Sequence, residues 1–205
     1  MIWEKCGLLF NADNRIGKEF SNYAQIPFFD ILNENVWRIY YSSRTSDVIS
    51  YPFSIDVEAK NPRNILRIGD KPILTLGDPG TFDDNGITVS SIVNVNDTTK
   101  YLYYIGWNRR VSVPYALNIG LAISEDNGNS FRKMFQGAII DRNKYDPIFA
   151  TAPCVMINDG LFRMWYVSCL RWDMVEGRSE PVYVIKHAFS KDGINWEIND
   201  KICID

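Results

Sequence analysis

The chain has 205 residues, of which 46% are hydrophobic and 14% aromatic, enough apolar material for one sizeable core or two small ones. Its formal net charge is −3, and acidic and basic residues are mixed along the sequence, which excludes the basic surface of a typical nucleic-acid-binding protein. No stretch approaches the roughly eighteen apolar residues of a membrane-spanning helix. We therefore expect neither a nucleic acid nor a membrane as a partner.

The cysteines stand far apart and form no C-x-x-C pair; they are Cys6, Cys154, Cys169 and Cys203. This spacing predicts neither a zinc site nor a disulfide framework. We expect free thiols, a cytoplasmic protein, and no metal or cofactor.

Runs rich in β-branched and aromatic residues follow one another along the chain, and none shows helical periodicity over three turns. They fall into three similar sets, at residues 26–32, 36–43 and 64–68, then 87–95, 101–107 and 130–135, then 152–157, 162–168 and 195–200. Aligning Tyr41, Tyr104 and Tyr166 separates the sets by 63 and 62 residues. In each set, one further run stands before the last of these three and supplies a fourth strand. The pattern therefore predicts an all-β chain built from a four-stranded unit repeated three times.

A Ser-x-Asp sequence marks each repeat, at 54–56, 124–126 and 190–192. In "SEDNGNSF" and "SKDGINW" the Asp can accept backbone N–H bonds across a turn, and the Gly supplies a left-handed conformation. We interpret these acids as turn fasteners and not as catalytic groups. A four-stranded unit of about sixty residues with this turn is typical of a β-propeller blade. The predicted blades, about 22–76, 80–140 and 146–205, form a single domain over residues 1–205.

Five segments carry a resemblance: "GTFDDNGI" (80–87), "YLYYIGWNRR" (101–110), "IGLAISEDNGNSF" (119–131), "FRMWYVS" (162–168) and "YVIKHAFSKDGINW" (183–196). In order and spacing they resemble the five-bladed propeller glycosidases, which include arabinanases, xylosidases, invertases, levansucrases and mannoside phosphorylases. Their turns resemble the Asp-box of sialidase-like propellers. The resemblance implies a β-propeller of the five-bladed type with four-stranded antiparallel blades, incomplete in this chain.

In that superfamily, acidic side chains at the starts of inner strands work at the channel mouth. One protonates the leaving oxygen, and another acts on the opposite face of the sugar. The resemblance implies Asp83 or Asp84 in the second blade, and because adjacent strand residues point to opposite faces, we expect one of them to reach the channel. Asp84 is preferred because the superfamily places its acid next to the strand start. The third blade offers Asp146, or Glu180 from a long loop, where the superfamily commonly has a glutamate.

The first blade departs from the superfamily pattern. Asn22, Tyr23 and Gln25 stand where an aspartate base is usual, and this difference argues against hydrolysis. We expect Tyr23, Gln25 and Asp83 to contact substrate instead.

The connections between the second and third strands are predicted to lengthen from blade to blade, and long connections often carry function. They contain Trp107, Arg109, Arg110, Arg171 and Trp172. Aromatic rings stack on sugar C–H faces, and guanidinium groups bind carboxylates or phosphates bidentately. This set suits an acidic or phosphorylated sugar. The alternative is that the tryptophans cover blade edges and the arginines are solvated.

Two functions follow from these residues. The first is a glycosidase-like propeller that acts on or binds a sugar or glycan, with hydrolase, transglycosidase or phosphorylase chemistry at Asp84, Glu180 and Asp146. The second is a non-catalytic carbohydrate-binding or scaffold propeller. Because propellers have about four to eight blades, three do not close a ring. We expect further blades from a continuation of the chain, or a homodimer.

Overall fold

The computed structural model describes residues 5, 7–12, 20 and 22–205, so Cys6 lies outside the described part, as does the side chain of Asn22. Within these residues, twelve strands form three four-stranded antiparallel sheets. None of the described segments is a helix long and apolar enough to cross a membrane. The predicted all-β fold of four-stranded antiparallel blades is confirmed.

Each sheet is an antiparallel meander in which neighbours along the chain are neighbours in the sheet. The first blade contains β1 (Asn22–Ile31), β2 (Val36–Arg44), β3 (Ser50–Glu58) and β4 (Ile65–Ile68). The second contains β5 (Ile87–Asn94), β6 (Lys100–Arg109), β7 (Tyr115–Ser124) and β8 (Arg132–Lys133). The third contains β9 (Phe149–Asn158), β10 (Leu161–Val175), β11 (Arg178–Ser190) and β12 (Ile202–Ile204).

Short polar turns close the first hairpin of every blade. The Asn33 side chain accepts hydrogen bonds from the backbone N–H groups of Asn35 (2.9 Å) and Val36 (3.0 Å), and Asn96 serves the second blade in the same way. In the third blade, Asp159 and Gly160 both have positive φ (52° and 73°). Such mirror-image turns match the right-handed twist of the flanking strands.

The blades pack face to face, with the first strand of each blade innermost. Strand β5 packs against β1, β2 and β3, and β9 packs against β5, β6 and β7. Buried Tyr40, Val89 and Tyr104 belong to the core between the first two blades. Tyr103, Ile119 and Tyr166 belong to the core between the second and third. This arrangement is that of a partial propeller.

The Ser-x-Asp interpretation is confirmed in the second and third blades. Asp126 Oδ1 accepts the N–H groups of Asn129 and Ser130, each at 3.0 Å. Asp192 Oδ1 accepts those of Ile194 (2.9 Å) and Asn195 (2.8 Å). Both acids therefore fasten the turn that follows the third strand.

In the first blade, the prediction that the third run ends in Ser-x-Asp is wrong. Residues 54–56 lie in the middle of β3, and Asp56 pairs with Arg67 of β4. Its carboxylate is held by Arg38 Nε at 2.6 Å and Arg67 Nε at 2.8 Å. Asp56 thus joins three strands of one sheet, and the turn after β3 lacks a Ser-x-Asp sequence.

The predicted lengthening of the connections between second and third strands is also wrong. These connections are short, at residues 45–49, 110–114 and 176–177. The additional residues of the third blade extend the strands, giving β10 15 residues and β11 13. We call the edge where β2, β6 and β10 end the mouth face, and the edge with the Ser-x-Asp turns the opposite face.

Candidate functional site

Three aromatic rings meet at the mouth face between the second and third blades. The Tyr115 ring lies between two tryptophans, with centroid distances of 5.2 Å to Trp107 and 5.1 Å to Trp172. Buried Phe149 packs against two of these rings, with its ring centroid 6.1 Å from the centroids of both Tyr115 and Trp172. We call Trp107, Tyr115 and Trp172 the aromatic platform. All three side chains are half-buried.

Trp107 is fixed by contacts with the first blade and with its own. It is near the end of β6, and its indole N–H donates to Thr88 Oγ1 of β5 at 2.9 Å. The Arg44 guanidinium lies 5.5 Å from the indole centroid, a cation–π distance. Arg44, Trp107 and Tyr115 together line a cavity of about 160 Å³.

Trp172 lies on the other side of Tyr115, beyond the register shift between Cys169 and Arg171 in β10. It lines a second cavity of about 320 Å³ together with Arg110, Arg142 and Tyr115. Its Nε1 atom is buried without a hydrogen-bond partner among the described residues. A buried donor without a partner is costly.

The predicted arginines differ in their surroundings. Arg110 lines the second cavity, and Arg109 lines the first while its guanidinium donates to the carbonyl oxygen of Asp47. Arg171 forms a bidentate pair with Asp173 at 2.9 and 3.1 Å, and the Arg171 side chain is exposed while Asp173 is half-buried. Its charge is thus balanced within the β10–β11 hairpin.

Two of the predicted acids are buried in ion pairs. Asp83 is 0% exposed, and its carboxylate contacts Lys133 Nζ at 2.5 Å and the Tyr104 hydroxyl at 3.0 Å. Burial first, and then the adjacent carboxylate, raises the pKa of Tyr104, which keeps this hydroxyl a proton donor. Lys133 and Tyr104 thus satisfy the charge and the hydrogen bonding of Asp83 from within its own blade.

Asp146 repeats this arrangement in the third blade. It is 0% exposed and contacts Lys186 Nζ at 3.0 Å and the Tyr166 hydroxyl at 3.1 Å. A buried carboxylate needs such partners, because an unpaired charge in the interior is strongly destabilising.

Asp84 and Glu180 are the more accessible acids. Half-buried Asp84 accepts hydrogen bonds from the Gly80 N–H and from Asn108 Nδ2, both at 2.8 Å. Glu180 is exposed on β11, opposite Asp173 in the β10–β11 hairpin. The acids therefore occupy three different environments, and their catalytic roles stay predictions.

The first blade contributes two predicted substrate contacts at the start of β1. Tyr23 is 65% exposed and has a positive φ of 75°. Gln25 is half-buried opposite Ser42, and its Nε2 atom is buried without a hydrogen-bond partner among the described residues. Both substrate roles remain predictions.

The sequence reasoning missed Tyr115 and Arg44, which complete the site. Tyr115 begins β7 opposite Arg109, and Arg44 ends β2 three residues after Tyr41, as Trp107 follows Tyr104. That shared spacing was a usable signal for Arg44. Across the described residues, no group of three or more His, Cys, Asp or Glu could hold a metal ion.

Sequence comparison finds two related proteins. The chain is 37% identical, over 205 residues, to the uncharacterized proteins Rv1502 and MT1551 from two strains of Mycobacterium tuberculosis. The match covers 100% of this chain and 67% of each relative. The chain belongs to the family of these mycobacterial proteins. A search against protein-family models gives no match.

Solved structures share the fold at low sequence identity. An endo-arabinase from Bacteroides thetaiotaomicron has a TM-score of 0.65 at 13% identity, covering 99% of this chain and 69% of its own. A family 117 glycoside hydrolase from Zobellia galactanivorans gives 0.60 at 12%, covering 85% and 68%. A sucrose-6-phosphate hydrolase from Lactobacillus gasseri gives 0.61 at 14%, covering 91% and 37%.

These similarities show the propeller-type fold that the family member shares with glycoside hydrolases. In the structures compared, this chain spans between 37% and 69% of the neighbour's length. Sites and substrates are not transferred at such identities, because one fold hosts many functions.

Proposed function

We propose that this family member is a carbohydrate-active propeller of the glycosidase type, which binds a sugar at the mouth face. The observation that carries the proposal is the aromatic platform with a cavity on each side of Tyr115. Rings held by neighbours in this way present apolar faces at a low entropic cost, because little side-chain freedom remains to be lost on binding.

Polar groups around the platform favour an anionic sugar. Arg44 and Arg109 line the first cavity, and Arg110 and Arg142 line the second. Guanidinium groups bind carboxylates and phosphates in a planar, bidentate manner. We therefore assign the site to a uronic acid or a sugar phosphate.

The test is a glycan array followed by calorimetric titration of a retained sugar. We expect Trp107→Ala and Trp172→Ala each to weaken binding about tenfold, because removing a central interface aromatic costs on the order of 1–2 kcal/mol. Trp37→Ala is the matched control, since Trp37 is a half-buried tryptophan at the start of β2, by the opposite face. Unchanged affinity in both platform variants would reject the proposal.

A second candidate function is glycoside cleavage with Asp84 as the carboxylate. Two donors fix the position of the Asp84 carboxylate at the mouth face, and Glu180 is the accessible partner acid.

Aryl glycosides of uronic acids and of neutral sugars test this function. Any turnover should fall at least about a hundredfold in Asp84→Asn and in Glu180→Gln, because acid–base groups contribute about 10²–10⁴. Glu125→Gln, an exposed change beside the Ser-x-Asp turn on the opposite face, is the control. Turnover that survives both site changes would rule these two acids out, with the sugar-binding proposal left standing.

A further inference from the structure

One aromatic residue in each blade precedes the buried tyrosine of the second strand: Tyr40, Tyr103 and Trp165. In the first blade, the Tyr40 hydroxyl donates to the carbonyl oxygen of Gly128 at 3.2 Å, in the Ser-x-Asp turn of the second blade. Its ring also contacts Phe131, with centroids 6.0 Å apart. The first blade thus docks onto the turn of the next.

The second blade repeats this contact with the third. The Tyr103 hydroxyl donates to the carbonyl oxygen of Gly193 at 2.8 Å, and its ring lies 5.9 Å from Trp196. Both turn glycines have positive φ, 80° for Gly128 and 73° for Gly193, and both turns carry an aromatic residue after the glycine. The first and second blades therefore each donate a hydrogen bond to a glycine carbonyl of the blade that follows.

An arginine adds a second contact in the first blade. Arg38, two residues before Tyr40, donates from Nη1 to the side-chain oxygen of Asn129 at 2.8 Å. Asn129 directly follows the turn glycine Gly128. The third blade has the same pair, since Arg163 stands two residues before Trp165.

The third blade presents the corresponding face without a blade packed on it in the described structure. Trp165 pairs with His187 as Tyr103 pairs with Leu121, and Val167 pairs with Ile185 as Ile105 pairs with Ile119. The second-blade residues are buried (Ile105 4%, Ile119 0%), whereas Trp165, Val167, Ile185 and Phe189 are only half-buried. We call Arg163, Trp165, Val167, Ile185 and Phe189 the Trp165 face.

We propose that the Trp165 face docks a further four-stranded blade that carries a Ser-x-Asp turn. The indole N–H of Trp165 takes the place of the tyrosine hydroxyl and donates to the turn glycine carbonyl. Arg163 donates to a polar side chain after that glycine, as Arg38 does. The apolar members of the face pack on the first two strands of the incoming blade.

A second copy of this chain does not offer such a blade. Its second and third turns are occupied by Tyr40 and Tyr103. Its first blade has "AKNPRN" (59–64) between β3 and β4, with neither Ser-x-Asp nor glycine. Phe10, Ala12 and Phe20 already pack beside Tyr41 and Phe53 of that blade.

The family provides another source. The mycobacterial relatives match this chain over 67% of their length, so a third of each relative has no counterpart in the 205 residues. We assign the docking blade to that part of the family's sequence. The interface it forms continues the blade-to-blade contact already repeated twice.

The test is co-expression of this chain with the unmatched third of Rv1502, followed by affinity purification and light scattering. We expect a one-to-one complex, with binding weakened about tenfold or more in Trp165→Ala, because interface tryptophans are frequent hot spots. Arg163→Ala should weaken it less, and this change at a half-buried arginine keeps the test valid if Trp165→Ala unfolds. Phe135→Ala is the control, as Phe135 is 45% exposed away from this face.

Three outcomes would overturn the proposal. The first is the absence of a complex with the wild-type chain, and the second is a complex that both variants form as tightly. The third is self-association of the chain alone that depends on Trp165, which would assign the face to a second copy.

Discussion

Two threonines occupy the same register position in neighbouring blades and differ in their hydrogen bonds. Thr88 pairs with Ile105, and Thr151 pairs with Val167. Each of these strand partners directly follows the buried tyrosine of its second strand. Thr88 Oγ1 accepts from the Trp107 indole at 2.9 Å and lies 3.2 Å from Ser50 Oγ. Thr151 Oγ1 is buried and has no partner among the described residues.

This difference predicts opposite effects for one substitution. Thr88→Val should lower the free energy of unfolding by about 0.5–1.5 kcal/mol, because it removes the hydrogen bond that the half-buried Trp107 indole donates to Thr88. Thr151→Val should be neutral or stabilising by up to about 1 kcal/mol, because it replaces an unsatisfied hydroxyl with a methyl group. Urea unfolding of both variants measures the contrast. Equal losses would contradict the assigned hydrogen bonds.

Asp192 makes the stability of the folded state depend on pH. Hydrogen bonds from the backbone N–H and then the side chain of Asn195, followed by the Ile194 N–H, lower the pKa of Asp192 in the folded state. A lowered folded-state pKa adds stability above the unfolded value of about 3.9, and this stability is lost as pH falls further.

Asp192→Ala should therefore lower the free energy of unfolding at pH 7 by up to about 1 kcal/mol, because solvent screens the interactions of this exposed carboxylate. The difference from the wild type should shrink between about pH 5 and pH 2, as the wild-type carboxylate is protonated. Asp97→Ala, at an exposed hairpin position, is the control and should change little. A pH-independent loss at Asp192 would mean that the turn does not depend on its charge.

At the scale of elements, docking between blades depends on the turn glycines. Gly128 has a φ of 80°, and a Cβ there would overlap the Tyr40 hydroxyl. Gly128→Ala should therefore cost at least about 2 kcal/mol, combining left-handed strain with a displaced Tyr40. Tyr40→Phe in the same chain should recover part of the loss, as a double-mutant cycle measures. Gly137→Ala, with no atom within 4 Å of the added Cβ, should be near neutral.

The sequence predicts the strands better than it predicts their contacts. The hydrophobic periodicity, the β-branched content and the aligned tyrosines predict the sheets correctly, because these signals are local. The first Ser-x-Asp misleads because Asp56 is held by Arg38 and Arg67, whose positions follow from strand pairing. The third repeat's extra residues form strand and not loop, since cross-strand pairing stabilises them.

The site is only partly predictable for the same reason. Trp107 and Trp172 are identified from their residue type and their position after the second strands. Their meeting at Tyr115 depends on how the second and third blades pack. Asp83 is fastened by Lys133, fifty residues later and on β8, so its burial has no local signal.

For the molecule as a whole, the two ends of the sheets have different roles. The opposite face carries acids that fasten turns, and the mouth face carries rings, arginines and Asp84. The fold is shared with glycoside hydrolases at identities of 12–15%. The mouth face is where we propose that the sugar binds.

The most direct test is a crystal structure of this chain soaked with a sugar that it retains on a glycan array. We predict a sugar in contact with the Trp107, Tyr115 and Trp172 rings, with its acidic group facing the arginines of one adjoining cavity. A sugar seated on the opposite face, or on the mouth face away from these rings, would contradict it.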